Sequence, residues 1–244
     1  MAIHGSLFQT FQESESNDPF VKQNSKLLKV NMDVHGPLNA RTGSMVAYQG
    51  DVRFENQGSG GLNKMIKKAM TSEGLEVMHC TGTGDLFLAD TASEIQVFYL
   101  ENDKISCNGA SVLAFSASIN WDIERMGGGM AGSMAGGFYN VTLTGTGYVA
   151  VTTKGDPVVL DVSGAPTFTD PNATVLWTSG VSMSVKTDTG GLKSMLRGGT
   201  GEMFQLGFSG QGHVMVQPAE NVPQGGGQAA GGGSAGGLLG GLMK

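Results

Sequence analysis

Charged residues, proline and cysteine are all scarce in this chain of 244 residues, and each scarcity argues against a particular class of protein. Only 15% of the residues are charged and the formal net charge is −6, so we expect no bulk attraction to a nucleic-acid backbone. Seven prolines are too few for a polyproline or collagen-like chain. No apolar run approaches the roughly 20 residues of a membrane-spanning helix. Hydrophobic residues still make up 39%, which is enough for a sizeable core.

The two cysteines, Cys80 and Cys107, lie inside predicted strands and at no spacing typical of a metal site. We interpret them as buried, reduced thiols of a cytoplasmic protein, with a redox pair as the alternative. The first residues show no basic start, apolar run or small-residue cleavage site. We therefore expect neither export nor mitochondrial import.

Glycine is abundant, at 40 residues, and separates short runs in which every second residue is apolar. Such alternation predicts strands with one buried face. Long helical patterns are missing, so close spacing of the strands favours an antiparallel sandwich or barrel over a parallel sheet with crossover helices. The clearest alternating runs are 26–34, 95–99, 139–143 and 204–208.

Two short motifs recur three times each at nearly equal intervals, which indicates one supersecondary unit used three times. The aromatic motif has steps of 67 and 62 residues, and the glycine motif that follows each copy has steps of 63 and 65. The copies of the aromatic motif are 46–52 (VAYQGDV), 113–119 (LAFSASI) and 175–181 (VLWTSGV). Those of the glycine motif are 82–88 (GTGDLFL), 145–151 (GTGYVAV) and 210–216 (GQGHVMV).

This repetition predicts a single β domain of three repeats, about 27–90, 91–155 and 156–218, around a pseudo-threefold axis. Tyr48, Phe115 and Trp177 should then occupy equivalent buried positions. Residues 221–244 form a glycine-rich tail outside the domain, for which a disordered linker is the default. If the tail is ordered, its apolar residues must be anchored in a groove of the same or a neighbouring subunit: Leu238, Leu239, Leu242 and Met243.

The paired glycines of the glycine motif invite comparison with a phosphate-binding loop. Such a loop opens a helix, whereas the residues after Gly84, Gly147 and Gly212 alternate as strands do. We therefore interpret the glycines as positions that need a positive φ angle or a bulge.

No catalytic or metal-binding constellation stands out, so we expect no enzyme, no cofactor and no metal site. The four histidines are scattered, and His79 and Cys80 point to opposite faces of one strand. No Gly-x-Ser-x-Gly pattern lies between a predicted strand and a predicted helix, as a nucleophile elbow requires. Asp85, Tyr148 and His213 share one motif position, and we interpret them as solvated side chains.

The segments between the two motifs of each repeat carry methionine in all three repeats, beside basic residues in the first and third. Flexible apolar side chains next to Lys or Arg suit a partner or a membrane surface. The alternative is that these segments fold back as caps on the ends of a barrel. The candidate binding residues are Leu62, Met65, Ile66, Lys67, Lys68, Met70, Met130, Met134, Met195, Leu196 and Arg197.

The ordered series of motifs 27–30, 43–52, 82–89, 111–115 and 210–214 resembles the mitochondrial-biogenesis family known as altered inheritance of mitochondria protein twenty-four, over roughly residues 7–218. The resemblance implies a β fold similar to the tryptophan-RNA-binding attenuation protein (TRAP-like), of the double-stranded β-helix type and often trimeric. In eukaryotic members it implies an inner-membrane-associated role in organising respiratory-chain or cristae complexes. It supplies no catalytic residue.

We therefore expect a soluble, all-β, non-enzymatic scaffolding or assembly protein of bacterial type, cytoplasmic and peripheral at a membrane surface. It should form a homo-oligomer, with a trimer favoured, and bind a protein partner or a membrane rather than nucleic acid. The alternative function is a small-ligand or RNA-binding module of the attenuation-protein kind, which would need aromatic and basic residues interleaved on exposed strands.

Overall fold

The computed structural model describes residues 5–56, 75–126, 138–187 and 204–219. The all-β prediction is confirmed, because strands account for most of these residues. The described helices are two single turns, α1 (Leu7–Thr10) and α2 (Met32–His35), and a 3-10 turn at Gly109–Ser111. None of them is long enough to cross a membrane.

The strands run in chain order from β1 to β15. Their bounds are β1 Phe20–Asn24, β2 Leu27–Asn31, β3 Leu38–Arg41, β4 Met45–Asn56, β5 Val77–Leu88, β6 Glu94–Cys107, β7 Val112–Ser116, β8 Asn120–Met126, β9 Phe138–Thr153, β10 Val158–Asp161, β11 Thr167–Thr169, β12 Thr174–Thr178, β13 Val181–Thr187, β14 Phe204–Gly210 and β15 His213–Val216.

Two antiparallel sheets contain all of these strands. The larger has twelve strands in the order β1-β2-β5-β3-β7-β9-β6-β12-β15-β10, with β4 also paired to β5 and β8 also paired to β9. The smaller has the order β11-β14-β13. Because β5 and β9 are long, each holds different partner strands along its two halves.

The aromatic motif pairs with the glycine motif in the same register all three times. Tyr48 lies opposite Leu86, Phe115 opposite Val149 and Trp177 opposite Val214. A register shift also recurs three residues before each aromatic residue, at Met45/Ala47, Val112/Ala114 and Thr174/Leu176. The repeated sequence therefore corresponds to a repeated strand pairing.

The glycine motif has the conformational role that its sequence predicts. Gly82, Gly84, Gly145, Gly147, Gly210 and Gly212 all have positive φ angles, between 107° and 154°. A Cβ at Gly84 would overlap the carbonyl oxygen of Gln49 on the facing strand. These positions need glycine both for backbone conformation and for close approach of the paired strand.

Buried side chains form three clusters along the chain. Leu28, Leu38 and Leu86 belong to the first, Ile105, Phe115 and Leu143 to the second, and Trp177, Leu206 and Phe208 to the third. Cys80 and Cys107 are buried free thiols in the first two, as predicted. Burial raises the pKa of both, that of Cys80 to about 12, so neither is a reactive thiolate near neutral pH.

Candidate functional site

The binding residues predicted from the methionine-bearing segments lie outside the described residues. These are Leu62, Met65, Ile66, Lys67, Lys68, Met70, Met130, Met134, Met195, Leu196 and Arg197. The tail residues Leu238, Leu239, Leu242 and Met243 lie outside them as well.

The strands that lead into these segments are described. Each segment joins two paired antiparallel strands, whose last pairs are Asn56 with Met78, Met126 with Phe138 and Thr187 with Phe204. The structure therefore shows where the three segments leave the sheets.

The N-terminal half of β4 carries an exposed apolar surface. Met45, Val46 and Tyr48 are exposed there, Val46 to 58% and Tyr48 to 48%. Their counterparts on β7 are Val112, Leu113 and Phe115, and Phe115 is only 1% exposed. The prediction that Tyr48 is buried like Phe115 and Trp177 is therefore wrong. Burial differs because, among the described strands, β4 pairs on one side only, with β5.

The counterparts of β4 have a second neighbour. Strand β7 pairs with β3, with Phe115 opposite Asn39, and β12 pairs with β6, with Trp177 opposite Ser106. Each partner strand comes from the preceding repeat of the chain. An aromatic motif is thus buried wherever the preceding repeat supplies a strand to cover it.

The aromatic motifs also contribute side chains to the preceding core. Leu113 and Ala114 belong to the first cluster, although they follow it in sequence by one repeat. Val175 and Leu176 belong to the second cluster in the same way. Among the described residues, the third cluster contains no such pair from another aromatic motif.

Another exposed edge lies on β11, whose only partner within the described ranges is β14. Phe168 in its centre is 46% exposed, and its ring lies 3.9 Å from the Lys186 ammonium nitrogen. An exposed edge strand carries unpaired backbone groups that can accept another strand. The N-terminal half of β4 and β11 are the candidate functional site of this protein, because each is a sheet edge with an exposed aromatic residue.

Polar contacts strengthen the internal junction between β3 and β7. The Arg41 Nε donates to the Val112 carbonyl at 2.9 Å, and its Nη2 donates to the Gly109 carbonyl. Asp90 lies 3.7 Å from the Arg41 Nε. Burial lowers the pKa of Arg41, and the Asp90 carboxylate opposes that shift.

The closest approach to a catalytic pair is His35 with Ser116, and its hydrogen bonds fit a structural role. The His35 Nδ1 lies 3.1 Å from the Gly36 carbonyl, so the neutral ring carries its proton there and donates it. The Nε2 then accepts from the Ser116 Oγ at 2.7 Å, and that oxygen accepts from the Tyr148 N–H at 2.8 Å. Burial lowers the pKa of His35, which favours this neutral form.

A second polar cluster ties the N-terminal segment to the sheet. The buried Lys29 ammonium donates to Glu13 at 2.5 Å, lies 3.2 Å from Asp85 and donates to the Ser14 carbonyl at 3.1 Å. The hydrogen bond from Lys29 lowers the pKa of Glu13. Burial acts to lower the pKa of Lys29, but its two carboxylate partners raise it. Asp85 is therefore an ion-pair partner rather than the solvated side chain predicted from its motif position.

The described part of the chain holds no group of three or more His, Cys, Asp or Glu side chains able to bind a metal ion. What the sequence interpretation missed was the exposed edge of β4. A signal for it was present, because three consecutive repeats have two junctions between them and leave one aromatic motif uncovered.

Comparison with known proteins identifies a family and solved structures of similar fold. The family model described as "Mitochondrial biogenesis AIM24" matches residues 20–219. The crystal structure of a protein from Streptococcus pyogenes is similar with a TM-score of 0.65 at 20% identity, covering 82% of this chain and 92% of that one. At that identity the likeness concerns the fold alone. A search of curated proteins returns no match.

Proposed function

The chain belongs to the mitochondrial biogenesis AIM24 family, and from this membership we propose that it is a non-enzymatic assembly protein that works as a homo-oligomer. The observation that carries the proposal is the exposure of Val46 and Tyr48, in a motif whose other two copies are buried. An apolar sheet edge left open on a single molecule is typical of a surface that another strand covers.

The proposed architecture is three successive repeats with sandwich-like packing within each repeat. Across the described residues, strands of the third and first repeats do not pair, so strand pairing does not close the predicted pseudo-threefold arrangement within one molecule. The shared register of Tyr48, Phe115 and Trp177 supports the three repeats, as does the division of the core into three clusters. A scaffold of this kind needs no catalytic group. Hydrogen bonds between the His35 and Ser116 side chains and the backbone of Gly36 and Tyr148 are compatible with a structural role for that pair.

We also propose that the oligomer is cytoplasmic and acts at a membrane surface through its methionine-bearing segments. Support comes from the sequence, where Lys64, Lys67 and Lys68 accompany apolar residues at helical spacing. Three lysines on one helix give weak binding, on the order of 1 kcal/mol each at an anionic surface. Oligomerisation would multiply it.

Native mass spectrometry and light scattering of the full chain test the self-assembly. We expect a single oligomeric mass that persists on dilution into the low micromolar range, with a trimer as the favoured stoichiometry. A chain that keeps the mass of one molecule at every concentration would contradict the proposed function.

A further inference from the structure

We propose that β11 of one molecule pairs with β4 of a second molecule of this chain, antiparallel and with Phe168 opposite Tyr48. The proposal rests on the proposed function, since it says how the homo-oligomer is built. It is derived from the two places where strands of successive repeats pair within the molecule, β3 with β7 and β6 with β12. We call each of these pairings a junction.

Three strands occupy equivalent places in the three repeats: β3, the C-terminal half of β6, and β11. Each pairs with the strand that carries a glycine motif, with Leu38 opposite Cys80, Ile105 opposite Leu143 and Thr167 opposite Phe208. Those three facing residues each stand two positions before the first glycine of the motif. Phe168 is therefore the counterpart of Asn39 and Ser106.

The registers of β3 with β7 and of β6 with β12 predict which residue of β4 should face Phe168. Asn39 faces Phe115 and Ser106 faces Trp177, and both pairings are antiparallel. The counterpart of this pair is Phe168 with Tyr48. The neighbouring pairs Ala40 with Ala114 and Cys107 with Leu176 then place Thr169 opposite Ala47.

The buried clusters beneath the strands support the same pairing. Leu113 and Val175 are fully buried because each enters the cluster of the preceding repeat. Val46 is their counterpart, but it is 58% exposed and belongs to none of the three clusters of the described residues. Pairing with β11 of another molecule would deliver Val46 and Ala47 to the third cluster, formed by Trp177, Phe208 and their neighbours.

Both edges are available for such pairing. Across the described residues, β4 pairs only with β5 and β11 pairs only with β14, so the two strands do not cover each other within one molecule. Strand addition satisfies the backbone groups of both edges at once. The surfaces that meet are different, so the contact is head to tail, and repetition around a ring leaves neither the β4 edge nor the β11 edge open.

Two charge variants test the geometry. Val46→Asp damages only the β4 edge and Phe168→Asp damages only the β11 edge, so each alone should shift the oligomer to the mass of one molecule. Val34→Asp is the matched control, because Val34 is also exposed, to 57%, and lies on α2. It should leave the oligomeric mass unchanged.

Mixing the two variants provides the decisive measurement. The Phe168→Asp variant keeps an intact β4 edge, and the Val46→Asp variant keeps an intact β11 edge. Together they can form one junction, so native mass spectrometry should show a one-to-one heterodimer and no larger species. An oligomeric wild type whose variants stay separate on mixing, or whose mass neither variant changes, would overturn the pairing but leave the homo-oligomer standing. A monomeric wild type would remove both.

A disulfide checks the register. Directly opposed residues of an antiparallel pair have Cα atoms about 4.5–5.5 Å apart, within disulfide range. Under oxidation, Tyr48→Cys with Phe168→Cys should give covalent oligomers on a non-reducing gel. Tyr48→Cys with Tyr99→Cys, another exposed aromatic position, should not. A disulfide within one molecule, or equal cross-linking of both double variants, would refute the register.

Discussion

Tyr48 and Phe115 occupy the same register position opposite Leu86 and Val149, yet Tyr48 is half exposed and Phe115 is buried. The difference comes from the strand on the far side. Strand β7 has β3 beside it, whereas no strand of the described part of the chain pairs with the corresponding side of β4. Identical local pairing thus gives opposite environments, depending on whether a preceding repeat is present.

This relationship predicts unequal costs of truncation. In the Phe168→Asp background, where the proposed junction is broken, Phe115→Ala should lower the free energy of unfolding by about 3–5 kcal/mol because it empties a core position. Tyr48→Ala should change it by no more than about 0.5 kcal/mol. Urea denaturation measures both, and equal losses would contradict the exposure of Tyr48.

Substitution of a motif glycine should be costly. Gly84→Ala places a Cβ against the Gln49 carbonyl and forces a φ of 107° on a residue that avoids it. We expect a loss of about 1–3 kcal/mol in the free energy of unfolding. Gly164→Ala is the control, because a Cβ there meets no atom within 4 Å. Thermal unfolding of the two variants should separate them clearly, and similar melting temperatures would argue against a conformational role for Gly84.

His35 should make stability depend on pH. Its folded pKa lies below the ordinary value of about 6.5, so the neutral ring is favoured in the native state. This contribution is fully present above the ordinary pKa and is lost as the pH falls through the folded pKa. Between about pH 7.5 and about pH 5.5, wild type should lose more unfolding free energy than His35→Gln. Parallel pH profiles for the two proteins would show that protonation of His35 is not coupled to folding.

The ion pairs of Asp85 and Asp51 should contribute unequally to the free energy of unfolding. Asp85→Asn leaves the buried Lys29 ammonium with one fewer carboxylate and should cost about 2 kcal/mol of unfolding free energy. Asp51→Asn removes a pair with Arg53 at 2.9 Å on an exposed surface, which is worth about 0–1 kcal/mol. Chemical denaturation at neutral pH compares them, and a smaller loss for Asp85→Asn would reverse the expected order.

Vesicle flotation tests the proposed membrane surface. At low salt, wild type should float with vesicles that contain anionic phospholipid, because positive charge is concentrated beside apolar residues in one segment. The triple variant Met65→Ser, Lys67→Glu, Lys68→Glu should not float. Neutral vesicles serve as the control. Equal flotation of wild type and variant, or none by wild type, would favour the interpretation of these segments as caps on the sheet ends.

The sequence by itself determined the strands and the conformation of their turning points. Alternating residues such as those of 95–99 fall within β6, because a half-buried strand needs a period of two regardless of its neighbours. The positive φ angles of Gly84 and Gly147 were likewise predictable, since only glycine adopts them at little cost. The buried thiol of Cys80 followed from its apolar strand context.

Only the tertiary structure decided which copies of a repeated motif are covered. The motif copies around Tyr48 and Phe115 have apolar residues at the same first, second, third and seventh positions, so their shared pattern predicts the same burial for both. Burial depends on the strand that packs beside each one, and Asn39 stands 76 residues from Phe115 in sequence. The His35 contact with Ser116 and the Lys29 contact with Asp85 are equally non-local. Local patterns specify which face of a strand is apolar, whereas long-range pairing specifies what lies against it.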